Sequence, residues 1–444
     1  MYLYAGFTLS HTCSHANERG CLCCWCLVGI SPLLGLFPNL IFDIETLGIN
    51  DDDHKIDEIT TDFISRVDHI MENHSGIGVK IFRLRTYPCD NVHPSYVDRW
   101  LQVAITPGIQ EFELQMPWQN KIEYNFPCSL LSIGFLSSLK CVHLTSFHIT
   151  GEELCSFLSK SLALEQLDLA DCSDIVRLEI PSVLLHLNFL QVQECVMLEL
   201  IESGAPNLSL FCYTGRPIHI SLGYPLQLTH IQMNSSESNM LYYASTKLPS
   251  VAPNLRALFL TSRFEFVDAP MVPGKFMHLK YLEIVLVQPD RSPDYDFCSL
   301  VSFLDGSPSL VTFILRIEFP VTRHDSIIEY PDYSSVHRRF LPQQRHDNLK
   351  NVLITGFCSS KSMVELTNHI LGSAPALEYL TLDTSRGHER KIGKSLICKH
   401  MPEEVLVEVQ RARFAISRYV EGNVPSTVNL RLIEPCSKCL SYRV

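Results

Sequence analysis

The feature that most constrains this chain is a leucine pattern, L-x-x-L-x-L, that returns along most of its length. The clearest copy is LEQLDLADC at 164–172, and seven further close copies begin at 139, 187, 228, 255, 279, 349 and 377. Weaker copies begin at 79, 109, 208 and 310. Successive copies start 20 to 39 residues apart, with a mean spacing of about 27 residues. Twelve copies in series predict a repeat architecture.

The motif itself predicts short strands. Its leucines alternate with polar residues, so each copy presents one apolar face that must be buried. Strands of successive copies can pair in parallel, because each repeat covers the apolar face of its neighbour. Each strand is connected to the next by a segment that we call the return. Some returns have the apolar spacing of a helix, as at Leu154, Phe157 and Leu158. We predict an α/β fold: an irregular leucine-rich-repeat solenoid with a curved parallel sheet and with helices and loops on its convex side.

The ends of the array differ from its middle, as capping segments do. Apolar residues three or four apart over 56–70 predict an amphipathic helix at the front. At the back, 402–422 predicts one helix and 426–435 predicts a final strand. The insertion at 319–348 is long, polar and aromatic. Loops of this length are either functional or disordered, so a binding role there stays open.

Charge and cysteine usage narrow the partner classes. Asp plus Glu outnumber Lys plus Arg by 48 to 36, a net charge of −12. This sign disfavours nucleic acid and an anionic membrane surface as partners. Seventeen cysteines are an odd number and most are spread singly. We interpret most of them as reduced, buried thiols of an intracellular protein, located in the cytoplasm, the nucleus or both.

Residues 22–42 carry no charge and are long enough to span a bilayer. Proline, glycine and Asn39 interrupt the run, and no basic cluster flanks it beyond Arg19. A membrane anchor is therefore disfavoured, although a membrane-anchored receptor stays an alternative. The CxCCxC pattern at 21–26 lacks a second half at zinc-finger spacing, so it predicts no metal site.

Enzyme motifs are absent from the sequence. It contains no G-x-S-x-G, Walker A, HExxH or EF-hand pattern, and SGIGVK at 75–80 lacks the third glycine of GxGxxG. We therefore expect no enzymatic activity, no catalytic residues, no cofactor and no metal.

A resemblance to a known family lies in the order of four segments. They are FPNLIFDIETLGI (37–49), DFISRVDHIMENHSGIGVKIFRLR (62–85), NLKNVLITGFCSSKSMVELTNHILGSAPALEYLTLD (348–383) and VNLRLIEPCSKC (428–439). They resemble, in turn, the strand after an F-box, the first helix and strand of the array, an FBD-type helix between two repeat strands, and a subgroup's tail. The chain is thus similar to plant F-box/leucine-rich-repeat proteins with an FBD-type C-terminal module.

This resemblance also includes a departure. Residues 1–36 contain no Leu-Pro-x-x-Ile-like opening and no basic, Trp-rich close, so we expect the F-box itself to be missing or replaced. The resemblance implies four regions. They are an atypical Cys-rich segment at 1–36, an N-terminal strand and capping helix at 37–78, leucine-rich repeats at 79–347, and FBD-like C-terminal repeats and cap at 348–444.

The resemblance implies protein recognition: the substrate-binding arm of an F-box subunit of a cullin-type ubiquitin ligase. Contacts are expected from positions three and five of the motifs, which face solvent on the concave side. The candidates are His143, Gln166, Asp168, Phe189, Gln191, His230, Gln232, Phe259, Tyr281 and Glu283. The expected partner is an unknown protein, with a Skp-type adaptor and cullin only if an F-box is present. Two further alternatives remain beside the membrane-anchored receptor: an adaptor-independent module or decoy without a ubiquitination role, and a small-molecule pocket within the array.

Overall fold

The structure is a computed structural model that describes the chain in segments. The described residues are 38–49, 55–75, 78–117, 124–126, 136–223, 227–235, 239–263, 265, 274–287, 295–318, 325–328, 344–385, 401 and 403–436. Contacts divide the chain into two compact units. The first comprises Met1–Tyr213 with Ile218–Gln227, and the second comprises Thr214–Pro217 with Leu228–Val444. The Cys-rich segment 1–36 and most of the insertion 319–348 lie outside the described residues, so predictions for them stay predictions.

The described residues of the first unit form ten strands and three helices. In chain order these are β1 (Asn39–Phe42), α1 (Ile56–Asn73), β2 (Ile81–Arg85), α2 (Pro94–Ala104), β3 (Glu111–Gln115), β4 (Cys141–Thr145), α3 (Gly151–Leu158), β5 (Gln166–Ala170), β6 (Arg177–Ile180), β7 (Phe189–Gln193), β8 (Leu200–Ser203), β9 (Leu210–Thr214) and β10 (His219–Ser221). The main sheet runs β1-β2-β3-β4-β5-β7-β9, and the neighbours from β1 to β7 pair in parallel.

The described residues of the second unit form seven strands and four helices. In chain order these are β11 (His230–Ser235), α4 (Met240–Val251), β12 (Ala257–Arg263), β13 (Tyr281–Val287), α5 (Val301–Asp305), β14 (Thr312–Glu318), β15 (Asn351–Thr355), α6 (Lys361–Ser373), β16 (Tyr379–Asp383), α7 (Glu403–Tyr419) and β17 (Asn429–Ile433). Short 3-10 turns precede α5 and follow α7. All seven strands pair in parallel in chain order. The predicted fold class, an α/β leucine-rich-repeat array, is confirmed.

A small second sheet was not expected from the sequence. Strands β6, β8 and β10 pair in parallel on the returns of three repeats of the first unit. These repeats are the shortest in the chain, with 23, 21 and 20 residues between motif starts. Helices α2 and α3 instead occupy repeats of 30 and 25 residues. An extended strand covers about 3.3 Å per residue and a helix about 1.5 Å, so only extended backbone spans the shortest returns.

A shared carbonyl fixes the register of the main strands. The N–H groups of Glu165 and Gln166 both donate to the carbonyl of Lys140, at 2.7 and 3.0 Å. The same arrangement opens β2, β3, β4, β7, β9, β12, β13, β14, β15 and β16. Each of the twelve predicted motifs contains a strand that begins two residues after the motif starts. Equivalent motif positions therefore lie side by side from strand to strand.

Side chains alternate along each main strand between a buried face and an open face. In β5, Leu167 and Leu169 are fully buried, whereas Gln166, Asp168 and Ala170 remain partly exposed. A fully buried leucine stabilises the fold by about 1.5–3 kcal/mol relative to an exposed one. The helices pack on the buried face. Amphipathic α1 buries Phe63 and Val67 there, so the helix predicted at the front of the array is confirmed.

Several main strands end at a residue in the left-handed region of backbone space. Ser146 follows β4 with φ 62°, Asp171 follows β5 with φ 51°, and Glu194 follows β7 with φ 48°. Gly356 follows β15 with φ 70°. This conformation costs a residue with a Cβ about 1–2 kcal/mol. It turns the chain out of the ladder toward the return, and the packing of both flanking strands holds it in place.

The ninth motif position lies directly after this turn. Cys172 and Cys195 occupy it and are 0% and 7% exposed. Their thiols lie 3.5 Å from the carbonyl oxygens of Ala170 and Gln193, respectively. A small side chain with a weak donor therefore fills the space at the strand end and contacts a carbonyl there. Both cysteines are structural turn residues, as their motif position predicts.

No helix among the described residues combines the length and apolar character needed to cross a bilayer. Most of the uncharged run at 22–42 lies outside those residues, and only its end forms β1.

A pair of glycines tests the left-handed turn. A Cβ on Gly356, at φ 70°, would lie 2.3 Å from the carbonyl oxygen of Ile317. We expect Gly356→Ala to destabilise the second unit by about 2 kcal/mol or more, from backbone strain and this overlap. Gly372 lies near the end of α6 with open space around it. Gly372→Ala should instead stabilise the unit by about 0.5–1 kcal/mol.

Urea unfolding followed by circular dichroism measures both changes. The two variants lie in the same unit and carry the same chemical change, so each serves as the control for the other. Equal unfolding midpoints would contradict the strained turn after β15.

Candidate functional site

The register places the predicted contact residues in rows across the open face of the main strands in each unit. In the first unit, His143, Asp168 and Gln191 are neighbours in one row. Gln166 and Phe189 are neighbours in the adjacent row. All five are partly exposed. The five side chains therefore share one open face, as the motif predicts, and their contact with a partner stays a prediction.

Asp168 connects the first of these rows. Its Oδ2 accepts a hydrogen bond from Nε2 of Gln191 at 2.9 Å and lies 3.3 Å from Nδ1 of His143. Its Oδ1 is buried and has no hydrogen-bond partner among the described residues. The three side chains hold one another in fixed positions, so this part of the face is ordered before any partner binds.

A charged ladder next to this row was missed by sequence reasoning. Arg83 lies 2.8 Å from Glu111 and 3.5 Å from Glu113, and Arg85 lies 2.5 Å from Glu113. The hydrogen bond from Arg85 to Glu113 raises the pKa of the guanidinium above its usual value. Arg83, Glu111 and Glu113 occupy the same motif positions as the predicted contacts, but in the weaker copies at 79 and 109, whereas Arg85 lies at position seven. Applying positions three and five to every copy would have found three of the four.

In the second unit, the open face carries an aromatic pair. Phe259 and Tyr281 lie on β12 and β13 with ring centroids 5.1 Å apart and ring planes at 40°. Two other predicted contacts, His230 and Gln232, lie on the neighbouring strand β11. Burial and a hydrogen bond to Glu283 raise the pKa of Tyr281 above its usual value, so its hydroxyl is a donor at neutral pH. Aromatic residues are enriched at protein interfaces and often dominate the binding energy.

Glu283 corrects the expectation that every candidate faces solvent. It lies on the open side of the sheet, but it is only 7% exposed. Its two carboxylate oxygens accept hydrogen bonds from Tyr281 Oη at 2.7 Å and from Arg316 Nε at 2.6 Å. The larger neighbouring side chains cover it, which motif position alone does not indicate. Glu283 therefore holds Tyr281 and Arg316 in place and has little surface for a partner.

The open face continues past the predicted residues. Strands β14 to β17 line a shallow depression of about 410 Å³ on this face. Tyr379 at its edge is 52% exposed, and Arg431 adds a positive charge. The other lining residues are Thr312, Ile314, Asn351, Val352, Leu353, Thr381 and Asn429. Five of them occupy positions three and five of their motifs, so the sequence carried this signal as well.

One group among the described residues could hold a metal ion. It consists of Asp305, His346 and His369, whose potential ligand atoms all lie within 4.8 Å of one another. Burial raises the pKa of Asp305 to about 6. Burial and the neighbouring His369 lower the pKa of His346 to about 4, and burial also lowers the pKa of His369. Both imidazoles are therefore neutral at pH 7. No sequence motif joins these residues, and only the tertiary fold brings them together.

Comparison with known proteins identifies the family. The sequence model of the leucine-rich-repeat domain described as "At1g61320/AtMIF1, LRR domain" matches residues 70–135 and 131–437. The chain belongs to this family. No curated protein matches the sequence. Membership of the At1g61320/AtMIF1 family makes the chain a plant leucine-rich-repeat protein and a protein-interaction repeat module.

The bonds of Glu283 in this At1g61320/AtMIF1 family member can be tested by removing its charged partner. Arg316→Leu should destabilise the second unit by about 2–3 kcal/mol, because a nearly buried carboxylate loses its counter-charge. The double variant Glu283→Leu with Arg316→Leu should recover most of this loss, since no unpaired charge remains.

Urea unfolding of each variant gives the measurement. Arg345→Leu is the matched control, because its pair with Asp347 is 71% and 64% exposed. It should change the stability by no more than about 0.5 kcal/mol. A similar effect of Arg316→Leu and Arg345→Leu would show that Glu283 does not depend on Arg316.

Proposed function

We propose that this chain recognises a protein target, as the substrate-binding arm of an F-box subunit of a cullin-type ubiquitin ligase does. The observation that carries the proposal is the family match over residues 70–437. Rows of ordered, partly exposed side chains on parallel strands support it, because they offer a broad surface rather than an enclosed pocket. The array itself performs no catalysis in this proposal, and it acts in the cytoplasm, the nucleus or both.

The open face of the second unit is the better candidate for the target's main contacts. Phe259 and Tyr281 present aromatic surface, Tyr379 is the most exposed aromatic residue of the neighbouring depression, and Arg431 lies beside it. Tyrosine and arginine are enriched among residues that dominate binding energy. The charged ladder of the first unit would instead set orientation and exclude partners with unfavourable charge.

The alternative is an adaptor-independent recognition module or decoy, which binds the target without delivering it for ubiquitination. Residues 1–36 carry no recognisable F-box opening. The proposal includes an FBD-type module at 348–444. Both versions contain this module, so it does not separate them. The two versions differ in one property, the binding of a Skp-type adaptor.

Co-purification with a Skp-type adaptor separates them. The ligase version predicts a one-to-one complex of adaptor and full-length chain that survives gel filtration, and that is lost when residues 1–36 are removed. The adaptor-independent version predicts no complex. In that case, fusion of a family F-box before Phe37 should create adaptor binding, which shows that the adaptor is competent to bind under the same conditions.

Recognition by the sheet face is tested with Phe259→Ala. Proteins captured by the full-length chain in plant cells are compared by quantitative mass spectrometry between the unchanged protein and this variant. Loss of a central aromatic anchor typically costs about 2 kcal/mol, or about thirtyfold in affinity, so the target should fall at least tenfold. Tyr242→Ala is the control, because Tyr242 is 44% exposed on helix α4.

The control should leave target capture unchanged, and both variants should keep the melting temperature within a few degrees of the unchanged protein. If every captured protein responds equally to the two substitutions, the open face of the second unit is not the recognition surface.

A further inference from the structure

Three segments of the second unit meet at a buried polar cluster that the recognition function does not use. Asp305 is the last residue of α5, His369 lies within α6, and His346 lies just before β15. Asp305 Oδ1 and His346 Nε2 are 3.5 Å apart, and the imidazole centroids of His346 and His369 are 6.2 Å apart. The side chain of His346 is 5% exposed and that of Asp305 is 14% exposed.

Backbone and amide hydrogen bonds hold His346 between the two helices. Its N–H donates to the carbonyl of Ser373, the last residue of α6, at 2.8 Å. Two residues earlier, Nε2 of Gln344 donates to the carbonyl of Asp305 at 3.0 Å. The segment that carries His346 is therefore fastened to the ends of both helices. The three side chains converge because the fold positions their backbones, and not through a flexible surface arrangement.

Three side-chain atoms of this cluster lack a hydrogen-bond partner in the part of the chain that the structure describes. Asp305 Oδ1, His346 Nε2 and His369 Nε2 are buried, and none has a hydrogen-bond partner among the described residues. Two serine hydroxyls close by in the chain, Ser307 Oγ and Ser373 Oγ, are also buried and have no hydrogen-bond partner among the described residues. Leaving a buried polar atom unpaired costs about 1–3 kcal/mol. Three such atoms in one cluster of side chains indicate that a polar component completes this region.

The geometry fits a metal ion better than a direct bond between the side chains. Two ligands bound at about 2.0–2.1 Å with tetrahedral geometry lie about 3.4 Å apart. The 3.5 Å between His346 Nε2 and Asp305 Oδ1 matches this edge and is too long for a good hydrogen bond between them. The third ligand atom, on His369, lies within 4.8 Å of both, so a small side-chain shift brings it into range.

We propose that Asp305, His346 and His369 bind a zinc ion, with water in the fourth position. Two imidazole nitrogens and one carboxylate oxygen form a donor set that suits zinc, whereas calcium and magnesium prefer oxygen ligands alone. The ion joins α5, the segment before β15 and α6. Its role is to fasten the helices behind strands β14 and β15, whose open side lines the depression at Tyr379.

Metal analysis of the full-length chain, purified without chelators, is the first test. The unchanged protein should retain one zinc ion more per chain than the double variant His346→Ala with His369→Ala. His278→Ala is the matched control, since His278 is exposed in the same unit, and it should retain the full zinc content. The difference between variants is decisive, because zinc held by cysteines contributes equally to all of them.

A second variant covers the case in which the double variant fails to fold. Asp305→Asn keeps the size of the side chain and removes the charged ligand. After removal of metal by a chelator, added zinc should raise the melting temperature of the unchanged protein and of His278→Ala. Asp305→Asn should bind zinc more than about a hundredfold more weakly, beyond the loss expected for an outer-sphere partner.

Cobalt substitution identifies the donor atoms. Cobalt bound to the unchanged protein should show visible d–d absorption that Asp305→Asn lacks, without added thiolate charge-transfer bands from this site. Equal metal content and an equal response to zinc in the unchanged protein and both ligand variants would overturn the proposal. The cluster would then be a metal-free contact between Asp305 and His346.

Discussion

The constraint on which the structure depends is the parallel hydrogen-bonded ladder and its constant register. A strand of about five residues cannot bury its apolar face alone, so each repeat requires its neighbours. The shared carbonyl, seen where Glu165 and Gln166 both bond to Lys140, sets most main strands at the same height relative to the one before. Once that register is fixed, the leucines stack behind the sheet, and the side chains at positions three and five form rows on its open face.

Repeat length determines which secondary structure connects one main strand to the next. The shortest repeats, of 20 to 23 residues, close with strands β6, β8 and β10, whereas repeats of 25 and 30 residues close with α3 and α2. The left-handed residue after several strands, such as Asp171 or Gly356, turns the chain toward these returns. The irregular repeat spacing is thus the physical reason for the mixture of helices and strands between the main strands.

The candidate surface could be predicted only in part. The positions of His143, Asp168 and Gln191 in one row follow from the motif, because the ladder keeps equivalent positions adjacent. The burial of Glu283 does not follow, because it depends on the size of Tyr281 and on the guanidinium of Arg316 in the next strand. The motif position determines on which side of the sheet a side chain lies. The neighbouring side chains determine how much of that side chain remains exposed.

Sequence spacing is enough to predict the α/β repeat fold, the positions of twelve strands, the helix at the front of the array and the face on which each strand residue lies. These properties are local or repeat at a fixed phase, so spacing and alternation encode them. The second sheet, the burial of Glu283 and the proximity of Asp305, His346 and His369 instead depend on tertiary packing. These residues are 23 to 64 positions apart in the chain. Their contact depends on how α5, α6 and the segment before β15 pack, and no local pattern records that packing.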